Sequence, residues 1–115
     1  MKFNPNCVRD ILITVEENTG YNKEMIFGDD SNNFPLLNSY NKDEIKYHIL
    51  QCKNNGLIDC IENIIGEFQI KDLTNTGHTV IAQARDEKKW KKILSATISS
   101  IPTLITVASE VNSLM

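Results

Sequence analysis

One stretch, residues 41–58, constrains the fold of this chain more than any other. Asn41 precedes Glu44 by three positions, a spacing at which the two side chains cap each other's backbone N–H groups at a helix start. Apolar residues then recur at helical spacing as far as Gly56, which can adopt the left-handed conformation that ends a helix. The sequence therefore predicts a helix of about three turns that leads directly into a strand at Leu57.

A β-hairpin is predicted immediately after this helix. Residues 57–61 and 68–73 flank the turn sequence 63–66, and the second of these runs alternates apolar with polar side chains. A capped helix that passes through a glycine into a hairpin is typical of the recognition helix and wing of a winged helix-turn-helix domain. We therefore expect an α+β, mostly helical, winged helix-turn-helix fold with a small antiparallel β-hairpin wing.

The flanking segments complete this expectation. Asn4 is predicted to cap a first helix, and a short strand is expected at residues 24–27. Thr74 is predicted to cap a third helix that runs through Arg85. Gly77 lies on the inner side of that helix, where its lack of a side chain permits close backbone approach.

The C-terminal part is predicted to be a longer helix that begins near Asp86 and is interrupted by Pro102, which should kink or split it near Ser99. We expect residues 1–86 to form the winged-helix domain and residues 87–115 a helical extension that packs on it or dimerises. One face of the extension follows an alternating four-three spacing. Asn112 is its one polar position, and its apolar positions are Leu94, Ile98, Ile101, Ile105, Ala108 and Met115.

Composition limits the possible functions. The chain has 115 residues, of which 41% are hydrophobic and 23% charged, and this predicts one globular protein of the cytoplasm without a membrane span. Its formal net charge of -3 argues against strong non-specific binding to polyanions. Three cysteines without a C-x-x-C pair indicate reduced, buried thiols rather than a zinc site.

Catalytic motifs are absent from the sequence, so no enzymatic activity, cofactor or metal is predicted. His48 lies at the edge of an apolar helical face and is expected to be a buried imidazole bonded to backbone. Trp90 is expected to pack on the core, with the lysines of residues 88–92 on the solvated side of its helix. Contact of this basic stretch with a nucleic-acid backbone is the alternative.

The first functional hypothesis is that the chain binds duplex DNA as a homodimer and regulates transcription, with residues 42–54 in the major groove. Asp43 and Glu44 argue against it, because they put negative charge at the helix end that normally enters the groove. The candidate phosphate contacts are Lys42, Lys46 and Lys53, and the candidate base contacts are Tyr47, Gln51 and Asn54.

The second hypothesis is a winged-helix protein-interaction module, such as a phage adaptor that binds a host or phage protein without binding DNA. The acidic balance of the chain, the apolar turn of the hairpin and the apolar C-terminal helix favour it. Its candidate interaction residues are Ile64, Ile65, Leu94, Ile98, Ile101 and Ile105.

Four segments together resemble a known family over roughly residues 5–92. They are Val8–Leu12; Tyr47–Ile49 with Gly56–Ile58; Leu73–Thr74 with Gly77–His78; and Arg85–Asp86 followed by Trp90. In order and spacing they resemble small, phage-associated domain-of-unknown-function proteins of bacteria and, more distantly, the YjcQ-like proteins. The resemblance implies a winged-helix fold and a prophage or mobile-element origin, and it implies no activity, substrate or cofactor.

Overall fold

A computed structural model describes residues 1–31 and 33–113, with side chains described as far as Val111. Within these residues the chain forms five α-helices, three β-strands and a short 3-10 turn at Pro35–Leu37. The helices are α1 Pro5–Asn18, α2 Lys42–Asn54, α3 Asn75–Ala84, α4 Glu87–Ser95 and α5 Ile101–Ser113. The strands are β1 Met25–Phe27, β2 Ile58–Glu62 and β3 Phe68–Leu73.

The three strands form one antiparallel sheet in the order β1-β3-β2. Met25 lies opposite Ile70 across the first pair, and Glu62 lies opposite Phe68 across the second. Burial alternates along the strands except at a register shift, where Lys71 and Asp72 of β3 are both exposed, and at the end of β2, where Ile61 and Glu62 are both exposed. One face of the sheet covers the core and the other faces solvent. The predicted α+β class, the hairpin and the short strand near residues 24–27 are confirmed.

Three helices begin at the predicted capping residues. The Asn41 side chain accepts a hydrogen bond from the Glu44 N–H at 2.7 Å, and Asn4 and Thr74 cap α1 and α3 in the same way. Gly56 has a φ of +74°, the left-handed conformation expected after α2. The reciprocal half of the predicted Asn41–Glu44 pair is wrong, because the Glu44 carboxylate instead accepts a hydrogen bond from Asn4 Nδ2 at 3.4 Å.

The segment before α2 contains less helix than a helix-turn-helix unit, in which a full helix precedes the second one. In its place, Pro35–Leu37 forms a single 3-10 turn. Phe34 precedes this turn and makes no capping hydrogen bond with its side chain. In the place of a full helix, this short turn packs on α1 and buries Leu37.

Helix α1 lies at the centre of the molecule and packs against α2, α3, β3 and the 3-10 turn. Its buried face is apolar apart from Thr14, and it consists of Cys7, Val8, Ile11, Leu12, Thr14 and Val15. Apart from Thr14, these residues belong to one hydrophobic cluster that also includes Trp90, Ile101 and Leu104. The core is therefore continuous from the sheet to the C-terminal helices.

The predicted long helix is split, as the proline suggested. Residues 96–100 separate α4 from α5, and Pro102 occupies the first turn of α5, where its missing N–H costs no helical hydrogen bond. Helix α5 packs on α3 and α4. Of the predicted apolar seam, the Asn112 side chain and Met115 lie outside the described parts of the structure. None of the helices formed by residues 1–31 and 33–113 has both the length and the apolar character needed to cross a bilayer.

Candidate functional site

Helix α2 separates an apolar inner face from a polar outer face. Ile45, His48, Ile49 and Cys52 are buried. The three candidate base contacts lie elsewhere on the helix: Asn54 is exposed, and Tyr47 and Gln51 are half-buried. The Tyr47 ring meets the His48 ring edge-on, with centroids 5.0 Å apart, so Tyr47 is partly held by the protein itself.

The candidate phosphate contacts on α2 are largely engaged within the molecule. Lys46 forms an ion pair with Asp29, from the loop after β1. The Lys42 ammonium lies 5.0 Å from the centroid of the Phe27 ring, a cation–π contact. Lys53 is half-buried and forms no ion pair with any residue that the structure describes. The outer face of α2 therefore offers little uncommitted positive charge to a phosphate backbone.

The turn between β2 and β3 is fixed by the side chain of Asn63. Its Oδ1 accepts hydrogen bonds from the N–H groups of Ile65 at 3.1 Å and Glu67 at 2.9 Å. The backbone N–H of Asn63 also donates to the Glu67 carbonyl at 2.9 Å. Gly66 has a φ of +85°, which a residue with a side chain would adopt only under strain. These bonds hold the turn in one conformation.

This fixed turn presents two isoleucines to solvent. The Ile64 side chain is completely exposed, and Ile65 is 74% exposed. Two acidic residues flank them, since Glu62 is exposed and Glu67 is half-buried. Burying an isoleucine side chain contributes about 1.5–3 kcal/mol. The isolated chain does not gain this free energy from Ile64 and Ile65, so it is available for binding. We call Ile64 and Ile65 the wing tip, after the wing that the sequence predicts for this hairpin.

The exposed face of the sheet carries further apolar surface. Ile26 and Ile61 both lie opposite Gln69, one on each side of the central strand. Ile26 is 48% exposed and Ile61 is 53% exposed. The three side chains form a row across the sheet, because cross-strand neighbours project to the same face. The Ile61–Gln69 pair is the second strand pair before the turn, so this row lies close to the wing tip.

The candidate interaction residues of the C-terminal part differ in their exposure. Leu94 is 37% exposed, and Ile98 and Ile105 are half-buried. Ile101 is only 1% exposed and belongs to the core, because α5 packs on α3 and α4. Ile101 cannot contact a partner in this conformation. The four-three spacing did not distinguish a side chain that packs within the chain from one that faces outward.

The two histidines have different surroundings. His48 is fully buried and hydrogen-bonded to backbone on both ring nitrogens, as expected. His78 is half-exposed, and its ring nitrogens lie 3.9 Å from carboxylate oxygens of Glu16 and Asp72. No sequence pattern predicts this grouping, because the three residues come from different elements. In the described part of the chain, no three His, Cys, Asp or Glu side chains are grouped so that they could hold a metal ion.

The three cysteines are free and buried. Burial raises the pKa of Cys7 to about 12 and that of Cys60 to about 11, and it also raises the pKa of Cys52. A thiol is nucleophilic as the thiolate, and these values disfavour the thiolate at neutral pH. The thiols therefore act as small apolar core groups.

These features define a small α+β protein with an apolar hairpin tip and a polar outer face on α2. The chain belongs to the family described as "Hypothetical protein (DUF2513)", whose model matches residues 2–101. The expectation that the chain belongs to a domain-of-unknown-function family is confirmed. No curated protein and no solved structure matches the chain.

Proposed function

We propose that this chain is a winged-helix protein-interaction module that binds another protein through its wing, the β2–β3 hairpin. The element order supports the winged-helix arrangement, because a helix, a short strand, the 3-10 turn and α2 precede the hairpin. The strand order β1-β3-β2 supports it as well, since it joins the short first strand to the second strand of the hairpin. The hairpin directly follows α2, where a wing is expected.

The exposure of the wing tip carries this proposal. Ile64 and Ile65 are held outward by a turn that the hydrogen bonds of Asn63 already fix. A preformed turn loses little conformational freedom on binding, so more of the free energy gained by burying the isoleucines remains as affinity. A groove in duplex DNA offers phosphates and polar base edges, whereas an apolar cleft in a protein matches two isoleucines.

The charges beside the wing tip specify the partner further. Glu62 and Glu67 flank the two isoleucines, and Asp59 lies opposite Asp72 lower in the hairpin. Like charges directly opposite one another are unfavourable, and a basic partner would relieve that repulsion. The partner is therefore a protein with an apolar cleft that has lysine or arginine at its rim.

Site-specific photocrosslinking from position 64, in a lysate of cells that encode the protein, tests the proposal. We expect one discrete adduct, which disappears when Ile65 is changed to Ser in the labelled chain. A matched label at Tyr21, which is 97% exposed on a different loop, should give no such adduct. Equal adducts from both positions would overturn the proposal, because exposure alone would then explain the capture.

Binding of duplex DNA by a dimer is the second candidate function. The observation that favours it is the position of Tyr47, Gln51 and Asn54 outside the buried face of a helix that directly precedes a hairpin. The ion pair between Lys46 and Asp29 gives a sharp test, because Asp29→Asn would release a lysine towards DNA. Tighter duplex binding by Asp29→Asn and weaker binding by Lys46→Glu would support this function, and no change in either variant would exclude it.

Three further properties belong to the same proposal. The resemblance favours a phage or prophage origin, and three free, buried thiols suit a cytoplasmic location. We place the homodimer contact on the partly exposed apolar residues Leu94, Ile98 and Ile105. Light scattering tests this contact: Leu94→Ser should convert a dimer into a monomer, and a wild-type chain that is monomeric at high concentration would contradict it.

A further inference from the structure

Helix α4 is firmly attached to the body of the protein through its apolar side. Trp90 and Ile93 are buried, and the indole N–H of Trp90 donates a hydrogen bond to the Asn6 side chain at 3.0 Å. The Arg9 guanidinium lies 5.5 Å from the centroid of the Trp90 ring. The core therefore uses Trp90 and Ile93, and of the apolar side chains of α4 only Leu94, which is 37% exposed, reaches solvent beside the polar face.

The acidic residues of α4 are already engaged in the structure. Asp86 caps the helix by accepting a hydrogen bond from the Lys89 N–H at 3.1 Å. Glu87 accepts a hydrogen bond from Arg9 Nη2 at 2.8 Å. Both carboxylates lie at the N-terminal end of α4, where Glu87 precedes Lys91 by one helical turn and Asp86 attracts Lys88. Among the described residues, neither carboxylate forms an ion pair with a lysine of α4.

The polar face of α4 carries a compact group of lysines. Lys88, Lys91 and Lys92 are exposed, and their spacing of three and four residues places them on one side of the helix within about 6 Å along its axis. None of them forms an ion pair with a residue that the structure describes, in contrast to Lys46. This concentration of positive charge lies on a chain whose net charge is -3. We call these three residues the lysine face.

We propose that the lysine face binds the phosphate backbone of double-stranded nucleic acid without reading its sequence. Lysine ammonium groups bind phosphate as point charges, and Ser95 is the next residue on the same side of the helix, so no arginine or carboxamide accompanies them to read base edges. A membrane surface suits α4 less well, because binding in the interface also requires a broad exposed apolar face. Trp90 and Ile93 are buried, and Leu94 alone, at 37% exposed, does not form such a face.

The lysine face is distinct from α2 and from the wing tip. The N-terminal part of α1 connects α2 to α4, since Asn4 bonds to His48 of α2 and Asn6 bonds to Trp90 of α4. The elements that pack most against α4 are α3 and α5, not the strands of the hairpin. Nucleic-acid binding by the lysine face depends on α4 alone, so it does not depend on whether the wing tip binds a protein.

Fluorescence anisotropy with a labelled duplex of arbitrary sequence, measured over a range of salt concentrations, tests this inference. Three phosphate contacts predict a slope of about -2.7 in log affinity against log salt concentration. We expect the variant Lys88→Gln/Lys91→Gln/Lys92→Gln to lose at least tenfold in affinity at low salt, with a slope near zero. Circular dichroism should confirm that it folds, because all three side chains are exposed.

A charge-matched control separates the lysine face from net charge. Lys2, Lys23 and Lys71 are exposed and lie on other elements, so their triple change to Gln removes the same charge elsewhere. This control should lose less than twofold in affinity. Equal loss in both triple variants, no salt-dependent duplex binding by the wild type, or binding to phosphatidylserine vesicles but not to the duplex would each overturn the proposal.

Discussion

The backbone N–H of Asn4 donates a hydrogen bond to Nε2 of the buried His48 ring at 2.8 Å. On the other side of the ring, Nδ1 lies 2.8 Å from the carbonyl oxygen of Glu44. A carbonyl can only accept and an amide can only donate, so these partners fix the proton on Nδ1 and leave Nε2 as the acceptor. The ring thereby joins the start of α1 to the middle of α2.

Replacing His48 should therefore destabilise the fold by removing this acceptor. His48→Phe keeps an aromatic ring but leaves the N–H of Asn4 without its partner, and we expect a loss of about 1–3 kcal/mol in the free energy of unfolding. Urea denaturation measures it. His78→Phe is the matched control, because His78 is half-exposed and should change stability by less than about 0.5 kcal/mol. Equal effects of the two substitutions would contradict this role for His48.

Gly77 allows α3 to approach the backbone at the end of α2. A Cβ at this position would collide with the carbonyl oxygen of Leu57 and lie 3.3 Å from the Cβ of Leu73. The Leu57 carbonyl also accepts the N–H of Thr74, so it cannot move away without breaking that bond. Gly77→Ala should cost about 3 kcal/mol in the free energy of unfolding, and Gly20→Ala, where space is open, should cost much less. Similar thermal midpoints for the two variants would refute the close approach.

Local sequence signals predicted much of this architecture and little of the candidate site. The caps and Gly56 were predictable, because a side chain a few residues away, or the lack of a side chain, determines each of them. The engagement of Lys46 by Asp29 was not predictable, because it depends on how the loop after β1 folds back over α2. The sequence predicts a turn at residues 63–66, but it does not predict how far the Ile64 and Ile65 side chains are exposed.

The C-terminal seam shows the same limit. Its four-three spacing indicates that one helical face is apolar, but the partner of that face depends on tertiary packing. The split at Pro102 turns α5 back onto α3, which buries Ile101 and leaves Leu94 partly exposed. A periodic pattern in a sequence therefore identifies a face and does not say whether the same chain covers it.

Arg9 connects three helices with one guanidinium group. Its Nε donates to the carbonyl of Ala84 at the end of α3, and its Nη2 donates to Glu87 in α4, both at 2.8 Å. Lysine has a single charged nitrogen and cannot make both bonds in this geometry. Arg9→Lys should therefore lower the free energy of unfolding by about 1–2 kcal/mol.

Arg85 provides the control for that substitution. Its ion pair with Glu16 joins two partly exposed surface side chains, and such pairs contribute little to stability. Arg85→Lys should change the free energy of unfolding by less than about 0.5 kcal/mol in the same urea experiment. A larger loss for Arg85→Lys than for Arg9→Lys would show that Arg9 does not hold the three helices together.

The buried thiols should make the fold less stable in alkaline solution. An unfolded cysteine ionises near its ordinary pKa of 9.0, whereas burial raises the pKa of Cys7 to about 12 and that of Cys60 to about 11. The unfolded state therefore loses these protons first, so the stabilisation is complete below pH 9 and declines as the pH rises towards the folded-state values. At pH 10 the loss should reach about 1.4 kcal/mol for each thiol. Cys7→Ala/Cys60→Ala should show a smaller decline between pH 8 and pH 10 in chemical denaturation, with Cys52 still contributing to the remainder. An unchanged decline would exclude Cys7 and Cys60 as its source.

The wing tip should contribute nothing to the stability of the isolated chain, although the turn beneath it should. Ile64→Ser/Ile65→Ser removes two side chains that make no core contact, so we expect the free energy of unfolding to change by less than about 0.5 kcal/mol. Asn63→Ala removes the acceptor for two backbone N–H groups and should cost about 1 kcal/mol. Paired urea titrations distinguish these effects. If the serine variant were the less stable of the two, the isoleucines would pack within the chain itself and would not form a surface that awaits a partner.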